Sequence, residues 1–273
     1  MKLTNTIKSI AIGSFDGIHL GHQALIDQAE AVVIIERNRS VITTGYRRTE
    51  YIDKPCFFYH LERIKSLSAK DFIDKLSKDF PKLETIVVGY DFGFGHKKEG
   101  DTTLLQKLFH GEVIVVEEVK HKNISIHSRS IKEFIKNGEI RLANELLGHN
   151  YKIKGEVVAG QGLGQKELVA TLNLRVREYL LPKEGVYATR TLVHNKWLPS
   201  VSFFGHRVTT DGSFAIETHI LDEDIGVIQG EVELEFMAFI RENQKFEGLK
   251  ALKNAIYQDI ERAKSYILHS KTL

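Results

Sequence analysis

With 273 residues, 42% of them apolar and 27% charged, the chain has the composition of a globular protein with ample core, enough for one large domain or two modest ones. A net charge of +2 excludes a nucleic-acid binder that relies on a strongly basic face, though not a local anion site. Cys56 is the single cysteine, so no internal disulfide is possible and a reducing, cytoplasmic setting is expected. No segment reads as a secretory signal and no apolar run approaches the roughly 18 residues of a membrane helix, so neither a membrane nor a nucleic acid is expected as partner.

The first half alternates strand-like and helix-like patterns. Ser9 to Gly13 is a short apolar run read as a strand, followed by helical spacing from His22 to Glu30 and a second strand at Val32 to Ile35. "HLERIKSL" and "AKDFIDKLSKDF" are helical by period. Thr85 to Tyr90 is a buried strand, "TTLLQKLF" a helix capped by Asp101 or Thr102, and Glu112 to Val119 another strand. "SIKEFIKNGEIRLANELLG" gives two helices divided at Asn137-Gly138. Such alternation predicts an α/β domain, a mostly parallel sheet covered by helices.

The pattern changes near Tyr151. Six strand candidates follow without a helix between them: "KIKGEVVAG", "ELVATLNLRV", "GVYATRTLV", "KWLPSVSFF", "SFAIETHIL" and "EVELEFMAFI". They predict an antiparallel six-stranded β-barrel, closed off by one long amphipathic helix, "LKALKNAIYQDIERAKSYI". The switch of period puts a domain boundary at residues 148–152, giving domains 1–149 and 150–273.

Chemistry concentrates first in the stretch from Gly13 to Gly21, at the carboxyl end of the first strand, where ligands bind in open parallel sheets. Its glycines allow backbone amides to approach a ligand, and the helix behind it favours anions at its start. His19 and His22 are three apart and share a face, which suits a polyphosphate. Adenylyl transfer asks little more than positioning of the attacking oxygen and stabilisation of charge on the phosphates. The same residues also suit a plain glycine turn carrying two surface histidines.

In the barrel half, Gly160, Gly162 and Gly164 form a loop able to wrap phosphates with backbone amides, or a simple hairpin connection. Thr171 and Asn173 are two apart in a strand and point to one face. A hydroxyl and an amide carbonyl are hard oxygen ligands, a pair that suits Mg2+ sharing its shell with phosphate and water. Glu217 stands in mid-strand, flanked by Ile216 and Ile220, where a carboxylate facing the barrel mouth would not be idle. A strand with one solvated face accounts for all three equally well.

Joined, these blocks resemble the bacterial bifunctional riboflavin kinase/FAD synthetases. "GSFDGIHLGHQ" is similar to the family's nucleotidyltransferase signature and "VGYDFGFGHKKEGD" to its second block, with Asp91, Phe92, Phe94 and Gly95 matching. "ISIHSRSIKEFIKNG" keeps Ser128 of the third block, while Arg129 and Ser130 replace a threonine and its neighbour, and Lys132 an arginine. "GEVVAGQGLGQKELVATLNL" is similar to the opening of the kinase domain, with Ala170 and Leu172 where the family has Pro and Ala around its Thr and Asn. "LPSVSFFGHRVTT" matches less well, Phe203 replacing an asparagine and Val208 a proline.

The resemblance implies a Rossmann-like nucleotidyltransferase domain and a riboflavin kinase barrel. It implies two ATP-consuming, Mg2+-dependent steps: riboflavin to FMN in the barrel, then FMN to FAD with release of pyrophosphate in the first domain. His19 and His22 would stabilise charge in the second step. Gly13, Phe15, Asp16, Gly17, Asp91, Phe92, Gly95, Ser128 and Lys132 would bind its nucleotide. In the kinase, Gly160, Gly162 and Gly164 would hold ATP, Thr171 and Asn173 the metal, Glu217 would be the base and Arg241 would bind flavin. Three other readings stay open: an enzyme with one degenerate domain, which the substitutions motivate; a first domain that adenylylates a different small phosphoester; and a non-catalytic flavin or nucleotide sensor.

Overall fold

The computed structural model describes residues 4, 6–37, 41–159, 169–209, 211–223 and 225–269. The chain divides into two compact units, Met1–Ser130 and Ile131–Leu273.

In the first unit, β1 (Ser9–Gly13), β2 (Ala31–Glu36), β3 (Cys56–His60), β4 (Thr85–Gly89) and β5 (Glu112–Val116) form a parallel sheet of order β3-β2-β1-β4-β5. Alternate residues feed two cores. Ile10, Ile12, Val33 and Val88 pack into one, and Ala11, Val32, Ile34 and Val87 into the other. A sheet buried on both faces needs apolar residues at every position, which is why these strands read as continuous runs. Strand order reverses at β1, since β2 lies on one side of it and β4 on the other. The carboxyl ends of β1 and β4 therefore flank the switch point where such sheets bind ligands.

Around the sheet lie α1 (Leu20–Ile26), the single turn α2 (Leu61–Ile64), α3 (Ala69–Asp79) and α4 (Thr102–Leu108). Asp101 caps α4 by accepting the Leu104 amide at 2.8 Å, and Ser68 caps α3. Lys54 closes the other end of α1, donating to the carbonyls of Ile26 and Ala29 at 2.7 Å each. Three elements escape the periodicity: β3, a 3-10 helix over Gly45–Tyr51, and the short hairpin β6 (Lys120–His121) and β7 (Ile124–Ser125). The strand β3 pairs on one side only and is half-buried from Cys56 to Tyr59 with His60 exposed, so "CFFYH" shows neither a continuous core run nor clean alternation.

The second unit takes most of α5 (Ser128–Lys136) together with α6 (Ile140–Leu147), the two being separated at Gly138 with φ +80°. Asn144 ties α6 to the strands, donating to Phe236 O and accepting from Tyr151 N. As expected, six strands close a barrel: β8 (Lys152–Val158), β9 (Leu172–Val176), β10 (Gly185–Val193), β11 (Lys196–His206), β12 (Phe214–Ile220) and β13 (Glu231–Glu242). Its β9 starts at Leu172, so Thr171 precedes the strand that the sequence pattern extends through it. The long helix α7 (Leu249–His269) packs Ile260, Ala263 and Ile267 against Val186, Ala188 and Val201. The opposite face of the same strands buries five hydroxyls, Thr189, Thr191, Ser200, Ser202 and Thr218, which satisfy one another by hydrogen bonds of 2.6–2.8 Å, with Thr191 reaching Thr218 at 3.5 Å.

Candidate active sites

Beyond β1 the backbone winds through left-handed conformations at Phe15 (φ +50°), Gly17 (+97°) and Ile18 (+42°). Phe15 and Ile18 adopt them with fully buried side chains, so packing outweighs a backbone cost of about 1–3 kcal/mol each. Asp16 locks the turn. Its buried carboxylate accepts the amides of Ile42 at 2.9 Å, Thr43 at 3.1 Å and Val41 at 3.3 Å, while Ser128 Oγ donates to Asp16 O at 2.7 Å. Asp16 and Ser128 thus have backbone partners that build the turn.

The turn delivers the two histidines. His19 is the N-cap of α1, accepting the His22 amide on Nδ1 at 3.2 Å, and its ring stacks on His22 at 3.5 Å between centroids. The helix begins at Leu20 and has seven residues. Gly21 makes room for them, since a Cβ there would lie 3.1 Å from His19 Nδ1. Burial, reinforced by the neighbouring charges of His19, Arg48 and His127, holds the His22 pKa well below the usual 6.5. Its buried Nδ1 has no hydrogen-bond partner among the described residues.

After β4 come Asp91, exposed, and Phe92, which stacks on buried Phe94 with centroids 5.6 Å apart. Gly95 has φ +74° and brings this loop against α3, with no space for a Cβ beside Ala69 N. Tyr90, Glu118 and His127 meet nearby, the Tyr90 hydroxyl lying 3.2 Å from His127 Nε2 and 3.3 Å from Glu118 Oε1. A hydrogen bond from Ser125, joined by one from Lys120, holds the Glu118 carboxyl down to about 2. Sequence reasoning misses this trio, because its members come from three separate segments. Lys132 belongs to the second unit.

In the barrel, Asn173 on β9 is the register partner of Glu217 on β12. Arg207 joins them. Its Nε donates to Glu217 Oε1 at 2.7 Å, its Nη2 lies 2.6 Å from the same oxygen and donates to Asn173 Oδ1 at 2.9 Å, and its Nη1 donates to Ser213 Oγ at 2.8 Å. The two oxygens converge on a cation, so the donor set suits one. No cluster of three or more His, Cys, Asp or Glu able to cage a metal occurs among the described residues. An amide oxygen and a carboxylate oxygen are hard donors of the kind that Mg2+ would share with phosphate and water. Arg207 is absent from the sequence expectations; its position two residues after Gly205, in a segment of weak resemblance, hides it. His219 Nδ1 lies 2.7 Å from Ala170 O. Arg241 is ion-paired along its side with Asp259 of α7, at 2.7–3.1 Å, and lies over the Phe246 ring. The loop carrying Gly160, Gly162 and Gly164 lies outside the described residues.

The riboflavin kinase family profile matches residues 147–267, and the FAD synthetase profile matches residues 2–48 and 47–130. A bifunctional riboflavin kinase/FMN adenylyltransferase of Listeria monocytogenes is 31% identical over 96% of this chain and 93% of that protein. The protein of that name from Escherichia coli K12 is 28% identical over 94% of this chain and 92% of its own. A solved structure described as a macrolide-efflux protein of Streptococcus pneumoniae superposes with a TM-score of 0.84 at 25% identity, covering 97% of both chains. No helix among the described residues is long and apolar enough to cross a membrane. Fold, site and relatives define a two-unit transferase of flavin nucleotide synthesis. More specifically, the chain belongs to the bifunctional riboflavin kinase/FAD synthetase family. Its two activities are riboflavin kinase and FMN adenylyltransferase.

Proposed function

We propose that the two activities use two separate sets of residues, assigned to domains 1–149 and 150–273. The observation that carries this is the separation of the polar groups: the His19–His22 stack lies in the first unit and the Asn173–Glu217 couple in the second.

In the first site ATP lies at the switch point of the sheet. His19 and His22 meet its phosphates, and the turn from Gly13 to Gly17 and the loop from Asp91 to Gly95 shape the cleft. Ser128 fixes the turn through Asp16 O. An oxygen of the FMN phosphate attacks the α-phosphorus as the bond to the β-phosphate oxygen breaks, and pyrophosphate leaves.

In the barrel, Glu217 accepts the proton of the ribityl 5′-hydroxyl as that oxygen attacks the γ-phosphorus of ATP, the bond from that phosphorus to the β–γ bridging oxygen breaks, and ADP leaves. Arg207 is a positioning residue here, occupying Oε1 and leaving Oε2 for the substrate hydroxyl. Thr171 and Asn173 would hold Mg2+ that arrives with ATP and neutralises phosphate charge. Arg241, fixed by Asp259, borders the flavin. We place the enzyme in the cytoplasm on the strength of its lone free cysteine, Cys56.

The test is chromatography of the flavins formed from riboflavin, ATP and Mg2+, and separately from FMN, ATP and Mg2+. FMN followed by FAD is the expected outcome. FMN alone would contradict the first site, and no product would favour the sensor reading.

A further inference from the structure

The first unit buries a guanidinium that its described residues satisfy only in part. Arg48 lies in the 3-10 helix that follows the segment pinned by Asp16, and its side chain is 0% exposed. Only Nη1 is used, donating to Glu36 Oε2 and to Gly45 O at 3.2 Å. Nε and Nη2 have no hydrogen-bond partner among the described residues. These two nitrogens form one edge of the guanidinium, the fork that grips a carboxylate or phosphate with two parallel hydrogen bonds.

The location matches the chemistry. Glu36 ends β2, two residues past Ile34, the register partner of Gly13, so the pair stands at the carboxyl edge of the sheet beside the histidine turn. Arg48 is close enough to His22 for its charge to act on that ring, and His22 Nδ1 is the other unpartnered buried nitrogen among the described residues. A purely structural ion pair would turn the whole fork to Glu36, because a half-satisfied buried charge weakens the fold. A ligand that completes the network removes that penalty only when bound.

We propose that Arg48 is a phosphate receptor of the adenylyl-transfer site, its Nε–Nη2 edge taking two oxygens of a phosphate group. This rests on the adenylyl-transfer reading of the first unit. Two anions must meet there: the FMN phosphate whose oxygen forms the new bond to the α-phosphorus, and the ATP whose bond to pyrophosphate breaks. Both offer the same phosphate chemistry, and the guanidinium lowers their mutual repulsion.

The test uses the full chain and the variants Arg48→Met, Arg48→Lys and the charge-free pair Glu36→Gln/Arg48→Met. In Arg48→Met, the KM of one substrate in FAD synthesis rises about tenfold or more, and Arg48→Lys, which keeps the charge and loses the fork, does not restore it. A rise confined to FMN identifies its phosphate as the ligand; a rise confined to ATP identifies the polyphosphate. The paired variant keeps the wild-type melting temperature and the raised KM. Riboflavin kinase kinetics on the same preparations stay unchanged. Unaltered KM values for both substrates, with only a lower melting temperature, would overturn the proposal. Calorimetric titration with FMN and with pyrophosphate decides the matter even if the wild type forms no FAD, an outcome that would sink the adenylyl-transfer reading itself. One binding event lost in Arg48→Met supports the receptor, and unchanged binding overturns it.

Discussion

Asn173 and Glu217 face each other across β9 and β12, and a single guanidinium, that of Arg207, holds both of their side-chain oxygens. Arg207→Met leaves the couple without its organiser. The expected result is a fall of about tenfold in kcat for riboflavin phosphorylation with little change in the KM of riboflavin, no rescue by Arg207→Lys, and unchanged adenylyl transfer. Steady-state kinetics of both half-reactions check this. An unchanged kcat would show that Arg207 has no positioning role.

Asp16 reads in the sequence as a nucleotide ligand, yet its carboxylate gathers three backbone amides of residues 41–43. Asp16→Ala leaves those donors unpaired inside the protein. It should cost about 1–3 kcal/mol of stability and lower FAD synthesis through the displaced turn. Denaturant unfolding followed beside both activities tests this, with the kinase expected to be spared.

Gly95 combines φ +74° with a Cβ position 2.8 Å from Ala69 N. Gly95→Ala should therefore destabilise the first unit by about 1–3 kcal/mol, by backbone strain and by pushing the loop off α3. A thermal melt distinguishes this from a pure ligand-binding role, which would leave the ligand-free melting temperature unmoved.

His22 carries a pH signature. Burial first, then neighbouring positive charge, lowers its pKa in the folded state beneath the ordinary 6.5. Below 6.5 the unfolded chain binds a proton that the folded chain refuses. The contribution of His22 to stability is therefore complete above that pH and is lost as pH falls through 6.5 toward the folded value. Unfolding free energies of wild type and His22→Gln, measured from about pH 7.5 to about pH 5, should converge or cross as pH drops, by up to about 1.4 kcal/mol per pH unit. Parallel curves would contradict a neutral, buried His22.

Much of this architecture is legible in the sequence because its signals are local. Continuous apolar runs such as "SIAIG" and "TIVVG" can only be strands buried on both faces, and the six short runs after Tyr151 pair in the barrel they suggest. The histidine turn was visible because strand, glycines and helix are contiguous. What the sequence could not show is long-range. Arg207 meets Asn173 only when β9 and β12 pair, and Arg48 reaches the carboxyl edge of β2 only because Asp16 anchors residues 41–43. The 3-10 helix that carries Arg48 has no 3.6-residue period to announce it. Arg241 matches a family segment, yet its fork is committed to Asp259 across α7, a partnership that no motif encodes.

The most direct measurement of the central claim is the product pattern of His22→Ala and Glu217→Ala, each supplied with riboflavin, ATP and Mg2+ and then with FMN, ATP and Mg2+. Two independent sites require that His22→Ala still makes FMN but loses FAD, and that Glu217→Ala makes no FMN yet converts supplied FMN to FAD. Loss of both products in either variant would contradict the account.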